Sequence, residues 1–217
     1  MQKFLNDAVE FVPILLHGVW LTLVVTIGSL ALSTVLGLVW ALMRVSGIGV
    51  LSGLSASVIN VIRGIPIIVL LFYLYFVMPD VGVTLTALQA AILGLGIAYS
   101  AYQAENFRAG IEAIDKGQIE AAQAIGMSWW QTMRRVVLPQ AVKIVLPPYG
   151  NVMIMMLKDS SQASTITVAE LALQGKLIAS STFKNASVFT LVALMYLTMS
   201  IPLILLVRHF EKRAGRR

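Results

Sequence analysis

The chain has 217 residues, 58% of them hydrophobic and 12% charged, with a formal net charge of +6. A water-soluble domain holds roughly 45–50% apolar and about 25% charged residues, so a soluble globule is excluded and a polytopic membrane protein is expected. The absence of cysteine rules out a disulfide framework and thiolate metal sites.

Histidine occurs only at His17 and His209, too far apart in sequence to suggest a metal cluster. No Walker-type phosphate loop is present, so any ATP would have to be handled by a partner. The positive excess is read as membrane topology rather than nucleic-acid binding. A bilayer core takes about 20 apolar residues per helix, which leaves room for roughly five spans in an all-α fold.

Residues 1–13 mix Lys3, Asp7 and Glu10 with Phe4, Leu5, Val9 and Phe11 and predict a short interfacial helix ahead of Pro13. They lack the basic start and small-residue cleavage site of a signal peptide. The first span is predicted at 14–43, closed by Arg44. Within it Thr22, Thr26, Ser29 and Ser33 form a stripe of small polar residues that lets membrane helices pack closely. A glycine-rich turn at 46–53 precedes the second span, 54–78, which contains Arg63-Gly64-Ile65-Pro66. A charge at membrane depth costs at least about 2.5 kcal/mol, and Gly64 and Pro66 weaken the helix. Arg63 reads either as facing a wet pathway, where it would attract a substrate carboxylate, or as an interfacial arginine holding carbonyls at the break.

A short loop at 79–87 leads to the third span, 88–107, whose end carries Tyr99, Tyr102, Gln103, Glu105, Asn106 and Arg108. Glu105 and Arg108 have the i, i+3 spacing of a local ion pair; the other reading makes Gln103 and Glu105 part of a substrate pathway. The segment 108–139 is the longest polar-patterned reach. A small helix over 119–125 should end at Gly126, a left-handed corner. Ser128 and Gln131 should then cap a second helix, and Pro139 marks the next start.

The fourth span, 140–158, is predicted to be a broken helix. Pro147-Pro148 leaves only nine residues, Tyr149–Leu157, before Lys158, a rise of about 13–14 Å. An outer polar segment follows at 159–186. Its Asp159, Ser160, Ser161 and Gln162 offer donors and acceptors suited to a zwitterion. A surface ion pair between Lys158 and Asp159 is the plainer alternative. Thr167 and Glu170 fit a capping box ahead of a short helix over 168–179, which makes Glu170 structural. The fifth span is predicted at 187–207, kinked at Pro202, and 208–217 is a basic tail.

The run Glu120-Ala121-Ala122, three residues, Gly126, nine residues, Val136-Val137-Leu138-Pro139 resembles the EAA signature of the membrane subunits of bacterial ABC importers. Arg63-Gly64-Ile65-Pro66 resembles the RGxP motif of polar amino-acid permeases. Residues 101–111 resemble the family stretch AYxAExFRxGI, and 158–170 resemble KDTSLVSVIGVPEL, with Gln103, Asn106, Gln162, Thr165 and Thr167 departing toward polarity. The resemblance covers nearly the whole chain and implies the small type I ABC importer permease fold. It implies a coupling segment made of Glu120, Ala121, Ala122, Ile125 and Gly126. The implied substrate-pathway residues are Arg63, Gln103, Glu105, Asp159, Ser161 and Gln162. The implied partners are an ABC ATPase dimer that carries ATP and magnesium, a second permease subunit, identical or paralogous, and a periplasmic or lipid-anchored substrate-binding protein. The subunit itself would do no covalent chemistry, bind no metal or cofactor, and lie in the bacterial inner membrane.

Cytoplasmic loops collect lysine and arginine. Arg44, Arg108, Lys116, Arg134, Arg135, Lys143, Arg208, Lys212, Arg213, Arg216 and Arg217 fall on one side of a five-span arrangement; Lys3, Lys176 and Lys184 fall on the other, with Lys158 near it. The N-terminus is therefore expected outside and the C-terminus in the cytoplasm. The competing reading is a secondary amino-acid transporter driven by an ion gradient, with Glu105 and Asp159 as its available intramembrane acids. A purely structural subunit leaves the 119–137 double helix unexplained.

Overall fold

A computed structural model describes residues 2–214, and among these the regular structure is helical throughout. The last three residues of the basic tail, 215–217, lie outside the described residues. The long helices are α1 (Gln2–Val45), α4 (Ala87–Glu112), α7 (Leu138–Asp159) and α9 (Asn185–Ala214). Shorter ones are α2 (Gly49–Gly64), α3 (Ile67–Phe72), α5 (Lys116–Ala124), α6 (Trp129–Thr132) and α8 (Leu171–Thr182).

Helix α4 lies at the centre, packed against α1, α2, α3 and α7, and α9 closes the bundle against α7, α8 and α1. Two helices, α1 and α9, are long and apolar enough to cross a membrane, and the bent pair formed by Gly49–Gly64 and Ile67–Val81 makes a third if counted as one span. Helices α4 and α7 have the length without the apolarity. On α4 part of the polarity is covered by protein: Ser100 and Gln103 are wholly buried.

The stripe on α1 is the seam of this packing. Thr22, Thr26, Ser29 and Ser33 are all buried, and the Ser29 hydroxyl donates to the Ile92 carbonyl of α4 at 3.3 Å. Close approach is enforced at Gly18, where a Cβ would stand 2.8 Å from the Leu171 Cα and 2.9 Å from its nitrogen. Backbone cannot rotate away as a side chain can. Gly18→Ala is therefore expected to destabilise the purified protein by about 1–3 kcal/mol, the usual cost of overpacking. A melting temperature equal to the parent's would show that α1 and α8 are free to separate.

Four expectations are corrected. The first 13 residues do not form a separate helix; α1 runs through Pro13. Proline in a helix interior costs about 3 kcal/mol. Phe11 and Leu15, buried against Leu171, Ile178, Val188 and Leu191, hold the turn on either side of it. Each such side chain collects on the order of several kcal/mol of dispersion contacts. The Lys184 ammonium donates to Asp7 at 2.7 Å and fastens the same end.

The second correction concerns the turn predicted at 46–53, which is helical from Gly49 on; the weakening expected at Gly64 and Pro66 takes the form of a 96° angle between α2 and the run from Ile67. Pro66 cannot donate, and it forces Ile65 out of the helical region, to φ −102 and ψ 127.

Third, α7 is not broken at Pro147-Pro148. The carbonyls that lose their helical partners belong to Lys143 and Ile144, on the exposed face. The opposite face is pinned by Val145 and Ala141 under Gly110 and by Gly150 under Val207. Helix α7 follows α6 through a widened π turn, Met133–Val137, and begins at Leu138 with Pro139 in its first turn, as the sequence predicts.

Fourth, Glu170 is structural, but not as the far end of a box with Thr167. Thr167 takes φ 69, and Glu170 is itself the cap of α8, accepting from Ala172 N and Leu173 N at 2.9 Å each. Wholly buried, it also accepts from the Tyr196 hydroxyl at 2.8 Å and the Thr22 hydroxyl at 3.5 Å.

Candidate functional site: an exposed elbow and a tyrosine ladder

The elbow is built by local chemistry. The Asp115 carboxylate accepts from Gly117 N at 2.7 Å and starts α5. Helix α5 ends where Gly126 takes φ 80. There Gly126 N donates to the Gln123 carbonyl at 2.9 Å and Met127 N to the Ala122 carbonyl at 3.1 Å, the paired bonds of a glycine-ended helix. Two residues on, Ser128 and Gln131 close a capping box: Gln131 N donates to the Ser128 hydroxyl at 3.3 Å and Ser128 N to Gln131 Oε1 at 2.9 Å. A side-chain bond of 2.6 Å from Gln140 to Gln118 ties α5 to the start of α7.

Ala122 faces inward and is buried, while Glu120, Ala121 and Gly126 stand exposed on the outer face of the elbow. Ile125 (79% exposed), Trp129 (60%) and Trp130 (63%) continue that face. Three large apolar side chains thus stand in the open at one corner of the chain.

The second feature joins α2, α4 and α7. Tyr99, buried on α4, donates its hydroxyl to Asp159 Oδ2 at 2.6 Å at the end of α7. The Tyr99 and Tyr102 rings lie 5.9 Å apart, and the Arg63 guanidinium stands 5.6 Å over the Tyr102 ring. A cation above an aromatic face is held by the ring quadrupole, for about 0.5–2 kcal/mol. A cation and a carboxylate that are far apart in sequence therefore stand at the two ends of one tyrosine ladder, beside the bend after α2.

Ser161 and Gln162 follow Asp159 in a short 3-10 turn, half-buried, and the Ser161 hydroxyl turns back to the Lys158 carbonyl at 2.7 Å. Gln103 is not on the ladder. It is wholly buried, would meet a Cβ at Gly37 of α1 at 2.7 Å, and its side-chain oxygen accepts from Asn106 at 3.4 Å. Glu105 also stands apart, bound by Arg108 at 2.6 Å, with Glu112 on the other arm of that guanidinium. Lys158 makes no ion pair with Asp159 among the described residues. Tyr99 and Tyr102 were missed as a connected pair. Their i, i+3 spacing on α4 was visible, but their partners on α2 and α7 were not.

The family model for "Binding-protein-dependent transport system inner membrane component" matches residues 33–216. The chain belongs to that family. This permease is similar to the glutamine transport system permease protein GlnP of Escherichia coli K12, 35% identical over 93% of each chain. It is 39% identical to the probable glutamine ABC transporter permease protein GlnM of Bacillus subtilis, over 91% of this chain and 92% of the relative. Among solved structures, an amino acid ABC transporter crystallised with histidines superposes with a TM-score of 0.88 at 37% identity, over 96% of the permease and 97% of that chain. The MetNI methionine ABC transporter, at 24% identity and a TM-score of 0.80, shares the fold. The permease accordingly has the type I ABC importer fold and is a multi-pass inner-membrane protein.

Proposed function

We propose that this permease moves polar amino acids into the cytoplasm by alternating access, driven by an ATPase pair that grips the α5–α6 elbow. The exposed elbow carries the reading. A glycine corner and a capping box fix its turn locally, and Ile125, Trp129 and Trp130 leave it uncovered. In the proposed cycle, ATP and magnesium stay on the partner. Closing the ATPase pair moves the elbow, and the bundle opens outward to a substrate-loaded binding protein; hydrolysis resets it.

Two permease subunits, identical or paralogous, form the pathway, with the N-terminus outside and the C-terminus in the cytoplasm. Arg63 and Asp159 suit the carboxylate and the ammonium of a zwitterion, and the amino-acid permeases among the relatives support that substrate class. Uptake by proteoliposomes holding the permease, its ATPase and its binding protein tests the proposal: uptake should require ATP. Uptake driven by an ion gradient without ATP would favour a secondary transporter instead.

Gly126 gives a sharper test of the grip. A Cβ there would meet nothing within 4 Å, so a substitution acts only through φ. Gly126→Val forces a β-branched residue into the left-handed region, at about 1–2 kcal/mol, whereas asparagine tolerates it. Valine is expected to lower co-purification of the ATPase about tenfold, with asparagine much closer to the parent. Equal retention by valine would place the grip elsewhere.

A further inference from the structure

A groove of about 320 Å³ opens between α1, α4 and α7, lined by Leu38, Phe107, Ile111, Val142, Leu146 and Tyr149 among others. Its hydroxyl groups are already engaged with each other: Tyr149 and Thr34 share a hydrogen bond of 2.8 Å, and Thr34 donates to the Leu30 carbonyl at 2.6 Å. A polar solute would find no partner there, while hydrocarbon would lose nothing.

Cationic side chains border the groove along α7 and beyond its elbow end. Lys143 is exposed beside Val142 (53% exposed) and Ile144 (43%), a single charge among exposed apolar side chains. A lysine so placed extends its stem along apolar surface and its ammonium to the phosphate layer. Arg134 and Arg135, exposed as well, stand one turn before Leu138, another lining residue. None of the three makes an ion pair among the described residues. No aspartate or glutamate occurs between Glu120 and Asp159 to neutralise them.

We infer that this groove seats an acyl chain of an anionic phospholipid whose headgroup phosphate is held by Lys143, with Arg134 and Arg135 completing the cationic rim. The inference is independent of the direction of transport and of the cargo.

The test uses the intact transporter in bilayers containing a phospholipid with a photoreactive acyl chain, carried on either a phosphatidylglycerol or a phosphatidylcholine headgroup. Adducts are mapped by peptide mass spectrometry. The phosphatidylglycerol form is expected to label residues 138–149 about fivefold more than the phosphatidylcholine form, the factor that one basic residue contributes at an anionic surface. Lys143→Gln should bring the two close to parity, and Val142→Trp, which fills the groove from an exposed position, should remove both. Labelling that ignores the headgroup, or adducts absent from these residues, would overturn the inference. So would a crosslink from Val142 to a second permease copy, because that copy would then be the occupant.

Discussion

Glu170→Ala is expected to cost the protein about 3 kcal/mol or more, the largest stability loss of any single carboxylate in the chain. The side chain holds the Ala172 and Leu173 N–H groups in the first turn of α8 and the Tyr196 hydroxyl of α9, and reaches the Thr22 hydroxyl of α1. Alanine leaves these donors buried without an acceptor, at about 1–3 kcal/mol each, and losing an N-cap alone costs about 1 kcal/mol. Folded domains keep only about 5–15 kcal/mol in total, so the variant should aggregate at temperatures the parent withstands. Thr22→Val, which removes one long hydrogen bond to the carboxylate and the acceptor for Leu171 N at 3.2 Å, should cost much less. If Glu170→Ala melted within a degree of the parent, water would have to be reaching the N-terminus of α8, contrary to the burial of that residue.

Asp159→Ala is expected to lower ATP-driven uptake tenfold or more while the complex still assembles. The carboxylate is half-buried and its defined partner is the Tyr99 hydroxyl. Bonds to a charged group are worth about 1.5–3 kcal/mol, or about a ten- to hundredfold change in occupancy of a site that uses it. Tyr99→Phe removes the orienting hydroxyl and keeps the ring in its tilted contact with Tyr102, so it should reduce uptake less than Asp159→Ala. Assembly is read from co-purification of the ATPase and transport from uptake at substrate levels below saturation. Unchanged uptake in Asp159→Ala would remove the ladder from the pathway.

The elbow was legible because everything that makes it is local. A glycine able to take positive φ and a serine and a glutamine three residues apart are each interpretable within one helical turn; the Asp115 cap, which starts α5 at Lys116 rather than at 119, went unread. The helix interruptions were less legible, because proline reports only a lost donor. At Pro66 nothing compensates and the chain turns by 96°. At Pro147 and Pro148 contacts with α4 and α9 keep the helix running. Glu170 was correctly seen as structural, but its role slipped by one cap because the left-handed backbone of Thr167 lies outside what side-chain identity reveals. The pairing of Tyr99 with Asp159 spans 60 residues of sequence, and no local pattern could announce it.

The unbroken course of α7 has a mechanical consequence. Its 22 residues from Leu138 to Asp159 make a rod about 33 Å long. One end is continuous with Trp129 and Trp130, and the other terminates at the carboxylate bonded to Tyr99. Effort at the corner and a load at the acid thus share a single beam, whose fulcrum is the Gly110–Val145 and Gly150–Val207 crossings. The π turn at Met133–Val137 lies between that beam and the corner that the proposed motor would grip. On the proposed mechanism a small rotation there would swing Asp159 relative to α4 without any loop having to carry the motion.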